Sequence, residues 1–251
     1  MQVTKQDTKQ DDHRSYIYTH PEMYLGVDEQ VTRQAQVYDV KKAKVVGASI
    51  NFPFSCERLF LEVLNNASDH VIRSRKAGIE PCRIDILMDN STITIINYGL
   101  PIPIEMHPIR NIYIPQMIFG SIYSSFDYDF YEHKITHNGI GVKVTNIFST
   151  EFKIIIHDHV RKLKYTQVWN NNMTDCSEPV ITSYNGDISS VQVVYKMDFA
   201  RFGYRVPIIS EDREIIGGYP EEAFALFARH AHDVSHSTKT TVTFNGLEFK
   251  R

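Results

Sequence analysis

A chain of 251 residues that is 42% hydrophobic and 23% charged has an ordinary globular composition, with enough apolar material for a sizeable core. Its net charge of -3, with Lys and Arg scattered, argues against a face dedicated to gripping DNA, and no apolar run reaches the ~18 residues that a transmembrane helix needs. The polar opening MQVTKQDTKQDDHR lacks a signal-peptide core, and Cys56, Cys82 and Cys176 suit neither a disulfide framework nor a metal site, which points to a reducing intracellular compartment.

Residues 1–15 read as a flexible arm ahead of one domain spanning 16–251. HPEMYLG, from His20 to Gly26, reads as a turn with an aromatic anchor. VVGASINFP leads into a helix predicted from about Ser55 to Arg75. RIDILM (83–88) and STITII (91–96) are predicted strands, with Asp89-Asn90 as their turn. NYGLPIP (97–103) reads as a loop, because Gly and two prolines break regular structure. A helix is predicted at 115–125, a mobile polar lid at 126–141, and a further helix, VKVTNIF, after Gly141. EFKIIIHDH, KLKYTQVW and SVQVVYKM read as strands, EEAFALFARHAHDV as a helix and TTVTF as a last strand before Asn245-Gly246. Helices and strands without regular alternation favour an α+β fold over a doubly wound sheet.

Projected at ~100° per residue, the long helix puts Phe60, Leu64, Ala67 and Val71 on one stripe. Glu62, Asn66 and Asp69 fall on the opposite stripe. A solvated amphipathic face is the commoner explanation of such spacing. Against it, Asn66 follows Asn65, two mediocre helix formers where a surface helix carries Lys, Glu or Ala. An Asn oxygen is a good hard ligand for magnesium, and it leaves the Glu62 carboxylate available as a base. Gly139-Ile140-Gly141 ahead of a helix would let backbone N–H groups approach phosphate oxygens, although alone a plain flexible turn explains it as well.

In this order the parts resemble the Bergerat (GHKL) ATPase module shared by type IIA topoisomerases, gyrase, the heat-shock chaperone of that superfamily, mismatch-repair ATPases and sensor histidine kinases. The chain is most similar to the eukaryotic-type topoisomerase II branch, through LFLEVLNNASDH, INYGLPIPIEMH, IYIPQMIFGSIYSS, NGIGVKVTNIFSTEF, YKMDFARFGY and STKTTVTFNGLEF, which together cover roughly residues 15–249. The resemblance implies a mixed sheet with helices on one face and ATP and Mg2+ bound between them. It implies that Glu62 is the general base, Asn66 the magnesium ligand, Asp69 a supporting acid and Asn97, ahead of Gly99, the reader of the adenine amino group. Ile102, Ile118 and Phe119 would surround the base, with plain core an equal reading for Ile118. Ser124 and Ser125 would contact ribose and phosphates, and Asn138, Gly139, Ile140, Gly141 and Lys143 would form the lid over the triphosphate. Implied partners are a second copy, reached by an arm carrying Tyr16 and Tyr18 and closed over nucleotide, and DNA through the full-length enzyme but weakly if at all through this domain, with no membrane. The nucleus or a viral replication site follows as the location.

Four features depart from the family pattern. Pro101 stiffens the loop after Asn97. Thr136-His137-Asn138 shortens the lid and leaves fewer amides for the phosphates. Phe126 replaces an Asn, and Val194 replaces a Thr hydroxyl expected near adenine. These divergent loops suggest an unusual source, such as a large DNA virus. The matching blocks end on the approach to a second domain, which in the family supplies a lysine to the γ-phosphate, so slow hydrolysis is expected. Two alternatives stand beside this reading. A mismatch-repair type is disfavoured by IFGSIYSS and NIFSTEF. A non-catalytic dimerisation module is disfavoured by Glu62 and favoured weakly by Pro101 and Val194. His230, His232 and His236 read as surface or core histidines ahead of a metal site, and His157-Asp158-His159 as a turn.

Overall fold

Strings such as TITIINY and SVQVVYKM alternate between buried and half-exposed residues, the period of a strand with one face against a core. The computed structural model describes residues 13–26, 31–122, 140–203, 207–210, 213–216 and 218–250. The first described elements are two short helices, α1 (13–19) and α2 (Glu22–Leu25). A hairpin, β1 (Arg33–Asp39) and β2 (Lys44–Ile50), leads to the long helix α3 (Phe54–Lys76). Strands β3 (Arg83–Met88) and β4 (Thr92–Tyr98) precede α4 (Ile114–Gly120) and α5 (Gly141–Ile147). Next come β5 (Ser149–Asp158), β6 (Leu163–Asn170), β7 (Asp175–Cys176), β8 (Val180–Ser183) and β9 (Ser190–Met197). A second hairpin, β10 (Pro207–Ser210) and β11 (Arg213–Ile216), is followed by α6 (Glu221–Thr238), β12 (Thr241–Phe244) and β13 (Leu247–Phe249).

The main sheet runs β13-β12-β3-β4-β9-β5-β6-β7, with β8 also paired to β6. Only the β12–β3 pair is parallel, so the sheet is mixed and the α+β expectation holds. Its buried face carries Ile84, Ile86, Ile93, Ile95, Val191, Val193, Ile154 and Ile156, and α3, α5 and α6 pack on this side. The β1–β2 hairpin lies against α6 in turn.

Helix α3 is held between the sheet and its neighbours, which explains why both its faces are partly buried. Phe60, Leu64, Ala67 and Val71 form the predicted apolar stripe, each at most 3% exposed. Burying each of the larger side chains is worth roughly 1.5–3 kcal/mol. Phe60 stacks on Phe227 of α6 at 4.0 Å. At the end of α3, Arg75 donates to the carbonyls of Thr238 and Lys239 and to Thr240 Oγ1, satisfying acceptors at the end of α6. Glu57 is buried between Arg33 of β1 and His230 of α6, whose Nε2 lies 2.7 Å from Glu57 Oε1. Burial works to raise this carboxyl, but the His230 and Arg33 contacts outweigh it and hold it below its ordinary value.

The structure revises several boundaries. Helix α6 runs to Thr238, one turn beyond the predicted segment. The helix predicted at 115–125 ends at Gly120, where Ser121 turns to extended backbone, and residues 123–125 lie outside the described residues. Asn97 and Tyr98 belong to β4 and not to a loop, because β9 continues to offer pairing partners as far as Ser190. The arm expected at 1–15 overlaps α1, which is already helical at residue 13. In this single chain Tyr18 stacks on Phe148, donates to Asp198 Oδ2 at 3.3 Å, and its carbonyl accepts from Arg201. The predicted lid lies almost wholly outside the described residues, as do Phe126, Thr136 and His137.

Candidate functional site

One wall of the candidate site is the flank of α3 on which Glu62, Asn66, His70 and Ser74 follow one another at four-residue spacing. Residues so spaced share a helix face, with roughly 6 Å of rise between neighbours. Glu62, at the near end, is half-buried, and its Oε1 pairs with Arg58 Nε at 2.7 Å. Its other oxygen faces Gly141, the first residue of α5, where an added Cβ would sit 2.0 Å from Glu62 Oε2. Glycine at 141 is therefore what lets the start of α5 close on the carboxylate. Thr145 of the same helix donates to the Leu59 carbonyl at 3.1 Å and fixes α5 against α3.

Asn66 Nδ2 donates to the Glu62 carbonyl at 2.7 Å. A carbonyl only accepts, so the nitrogen end of this amide is committed to its own helix and the oxygen end is directed away. Asp69 does not join this group. It is exposed, and its charge bears on Arg73. The next place on the wall belongs to His70.

His70 is 8% exposed and bridges two segments. Its Nε2 lies 3.0 Å from the Leu100 carbonyl and its Nδ1 lies 2.7 Å from Asn97 Nδ2. Burial, with the Arg73 charge second, lowers its pKa to about 4, so the ring is neutral at pH 7. The Leu100 carbonyl needs a donor, which puts the single ring proton on Nε2 and leaves Nδ1 to accept from the Asn97 amide. Ser74 completes the cross-tie: its Oγ donates to the His70 carbonyl at 2.7 Å and accepts from Leu100 N at 2.9 Å. An added Cβ at Gly99 would fall 2.1 Å from Ser74 Oγ, so this loop approaches α3 as closely as glycine permits. Both backbone polar groups of Leu100 are thus spent on α3, and the stiffness expected from Pro101 continues a segment already pinned.

Asn97 is buried and stands on the helix-facing side of β4, level with Val191 of β9 and Ile84 of β3. Val194 pairs with Thr94 on the opposite, outer face. This corrects the expectation that Val194 stands where a hydroxyl would meet adenine, since successive strand residues alternate faces and the neighbour of Asn97 is Val191. Ile102, Ile118 and Ile140 are half-buried against the core and Phe119 is buried, with its carbonyl accepting from Asn146 Nδ2 at 3.1 Å. Lys143 is buried in α5, and burial, followed by the Arg110 charge, brings its pKa down to about 7. Ser124, Ser125, Asn138 and Gly139 lie outside the described residues.

The structure therefore groups Glu62, Asn66, Gly141, Asn97 and Gly99 along α3 and leaves Asp69 aside. Sequence reasoning missed Arg58, His70 and Ser74, although the spacing that links residues 62 and 66 continues through 70 and 74. The three clustered histidines of α6 have structural partners: besides His230, His232 packs beside Tyr38 and Phe249, and His236 Nδ1 lies 2.9 Å from the His232 carbonyl. Asp158 accepts from the amides of Val160 and Arg161, closing the turn expected there. Among the described residues no three His, Cys, Asp or Glu side chains form a metal-binding group, and no helix is long and apolar enough to cross a membrane. None of the three cysteines forms a disulfide.

A mixed sheet backed by helices, with a Glu-x-x-x-Asn helix lying beside a strand-end Asn-x-Gly and a glycine at a helix start, defines the Bergerat class of ATPase folds. The solved ATPase region of Saccharomyces cerevisiae topoisomerase II superposes with a TM-score of 0.82 at 30% identity, covering 100% of this chain and 61% of that one. The ATPase and transducer domains of DNA topoisomerase II from Balamuthia mandrillaris give 0.81 at 25% identity, covering 99% and 60%. DNA topoisomerase 2 from Candida glabrata is 34% identical over 240 residues, and that from Plasmodium falciparum 36% over 236 residues. These matches take in 94% and 92% of this chain. The chain spans 16% of the length of each of these two relatives. No family profile matches the chain. The chain belongs to the eukaryotic-type topoisomerase II family, within its ATPase region.

Proposed function

We propose that this chain binds ATP with magnesium along the α3 wall and hydrolyses it, serving as the N-terminal gate of a type IIA DNA topoisomerase. One observation carries the reading: a carboxylate at Glu62 and two amides, Asn66 and Asn97, stand along one wall with each amide nitrogen committed to the fold. Each amide thus offers its oxygen end to a ligand. That is the donor set that a magnesium nucleotide with a 6-amino purine requires.

In this reading Asn97 Oδ1 accepts from the adenine amino group. Asn66 Oδ1, a hard neutral oxygen, would hold magnesium, which when bound would neutralise charge on the phosphates. Glu62 accepts a proton from a water whose oxygen attacks the γ-phosphorus as the bond to the β,γ-bridging oxygen breaks, giving ADP and phosphate. Gly141 brings the start of α5 to this carboxylate, and Lys143 supplies positive charge toward the triphosphate. Ser124, Ser125, Asn138 and Gly139 would complete the ribose and phosphate contacts.

ATP would shift the population of a homodimer toward a closed gate that traps a DNA duplex, and hydrolysis would reset it, with strand passage carried out by the full-length enzyme in the nucleus. Exchange of the arm between subunits would replace the intramolecular contacts of Tyr18 with those of the partner. The test is thermal stabilisation by a non-hydrolysable ATP analogue with magnesium, which follows ligand linkage. Wild type and Glu62→Ala should both be stabilised, and Asn66→Ala much less. No shift in wild type at millimolar nucleotide would overturn the reading.

A further inference from the structure

We propose that His70 is a positioning residue that sets the polarity of Asn97, and through it the preference of the site for a 6-amino purine over a 6-oxo purine. The proposal rests on the reading of Asn97 as the contact to the base. An asparagine amide has nearly the same shape in both orientations of its terminal group but opposite hydrogen-bonding polarity. With its oxygen toward the ligand it accepts from an amino group, and with its nitrogen there it would donate to a carbonyl. Something outside the amide must therefore choose.

The geometry points to a directional chain of three links. The Leu100 carbonyl accepts from His70 Nε2 at 3.0 Å, which leaves Nδ1 as a lone pair. Nδ1 lies 2.7 Å from the Asn97 amide and admits only its nitrogen end. The oxygen end is then fixed toward the ligand. The start of the chain is fixed as well, because Ser74 holds Leu100 N at 2.9 Å and Gly99 is in close contact with Ser74. The backbone of Asn97 is held between Ile84 and Val191. The low pKa of His70, caused first by burial and then by Arg73, keeps the ring neutral and so preserves the acceptor.

The test compares non-hydrolysable triphosphates of adenosine and inosine, with magnesium, by calorimetry on the 251-residue chain. Wild type should prefer the adenosine compound by about tenfold or more, the cost of turning two acceptors toward each other in a buried site. His70→Leu frees the Asn97 amide to rotate, and the ratio should fall to within about twofold. His70→Gln, which keeps a donor and an acceptor on one planar group, should restore most of the preference. An undiminished ratio in His70→Leu overturns the proposal while leaving the reading of Asn97 intact. Absence of discrimination in wild type, or a ratio unchanged in Asn97→Ala, removes that reading and the proposal with it. A measurement on wild type stands apart from any variant's folding: nitrogen NMR should show the His70 proton on Nε2, and a proton on Nδ1 would overturn the chain of polarity.

Discussion

The two ends of the α3 wall are built by different means. Around Asn97 the ties are neutral hydrogen bonds between buried groups, and the strand, the loop and the helix lock one another through His70, Ser74 and Leu100. Around Glu62 the partners are charged and partly exposed: Arg58 on the carboxylate, and the start of α5 held close by Gly141. On the proposed reading, the difference matches what each end would have to do. Reading a base needs an acceptor of fixed polarity, and buried neutral bonds fix it because breaking any one leaves an unsatisfied group. Handling phosphate and water needs charge that responds to the ligand, and half-exposed ion pairs are weak enough to rearrange.

Substitution should therefore damage the two ends in different currencies. The largest effect is expected at Glu62. Glu62→Gln should lower hydrolysis by roughly a thousandfold, as loss of a general base does, while leaving nucleotide binding within about twofold. Steady-state turnover and calorimetry on the same preparations decide this, and a matched loss in both would place Glu62 in binding instead. Next come two alanines for glycines. Gly99→Ala pushes a methyl onto Ser74 and should cost about 1–3 kcal/mol of stability in denaturant titration. Gly141→Ala pushes its methyl onto the end of a half-exposed side chain and should spare stability while reducing turnover. If the two variants lose stability equally, the contrast between the ends is wrong.

How far this contrast is legible in the sequence follows from range. The apolar stripe of α3 and the alternation in β4 and β9 are local signals, and they predicted the elements to within a few residues. Glu62 and Asn66 share a helix face by spacing alone, so they too were visible. His70 was not, because its role depends on the Leu100 carbonyl and Asn97, both about thirty positions away and brought near only by β4 lying under α3. Asp69 stands three residues after Asn66 and His70 four, both within a broad helical face, and only packing separates the exposed acid from the buried imidazole. Val194 was placed near the base because an alignment carries no face. Its register against Thr94 puts it on the far side of the sheet.

The fixed end should also announce itself through pH. His70 is held near pKa 4 in the folded chain against an ordinary value of 6.5, so the unfolded chain binds the extra proton between these limits. Its neutral form contributes fully above about pH 6.5, and that contribution is lost as pH falls toward 4. Between pH 7 and pH 5 it should remove on the order of 2 kcal/mol, to which other carboxylates and histidines add their own changes. The difference between wild type and His70→Leu isolates it: the variant should lose less stability over that interval by this amount. Parallel pH profiles for the two proteins would show that His70 is not held neutral.

The smallest expected effect probes the responsive end. Lys143 sits near pKa 7 because burial disfavours its charged form and Arg110 adds to the penalty. On the proposed reading, a triphosphate bound beside it would reverse the balance, since an opposite charge favours the protonated amine. At pH 7.5 the free site would hold this proton only in part, and binding should take up roughly 0.7 proton. Calorimetry of a non-hydrolysable ATP analogue in buffers of different ionisation enthalpy measures that uptake directly. Lys143→Met should abolish it, whereas His70→Leu, at the fixed end, should leave it unchanged. Uptake that persists in Lys143→Met would assign the proton to another group and detach Lys143 from the triphosphate. Uptake that disappears in both variants would mean that the two ends are coupled, and that the rigid reading of the base and the responsive handling of phosphate are one device.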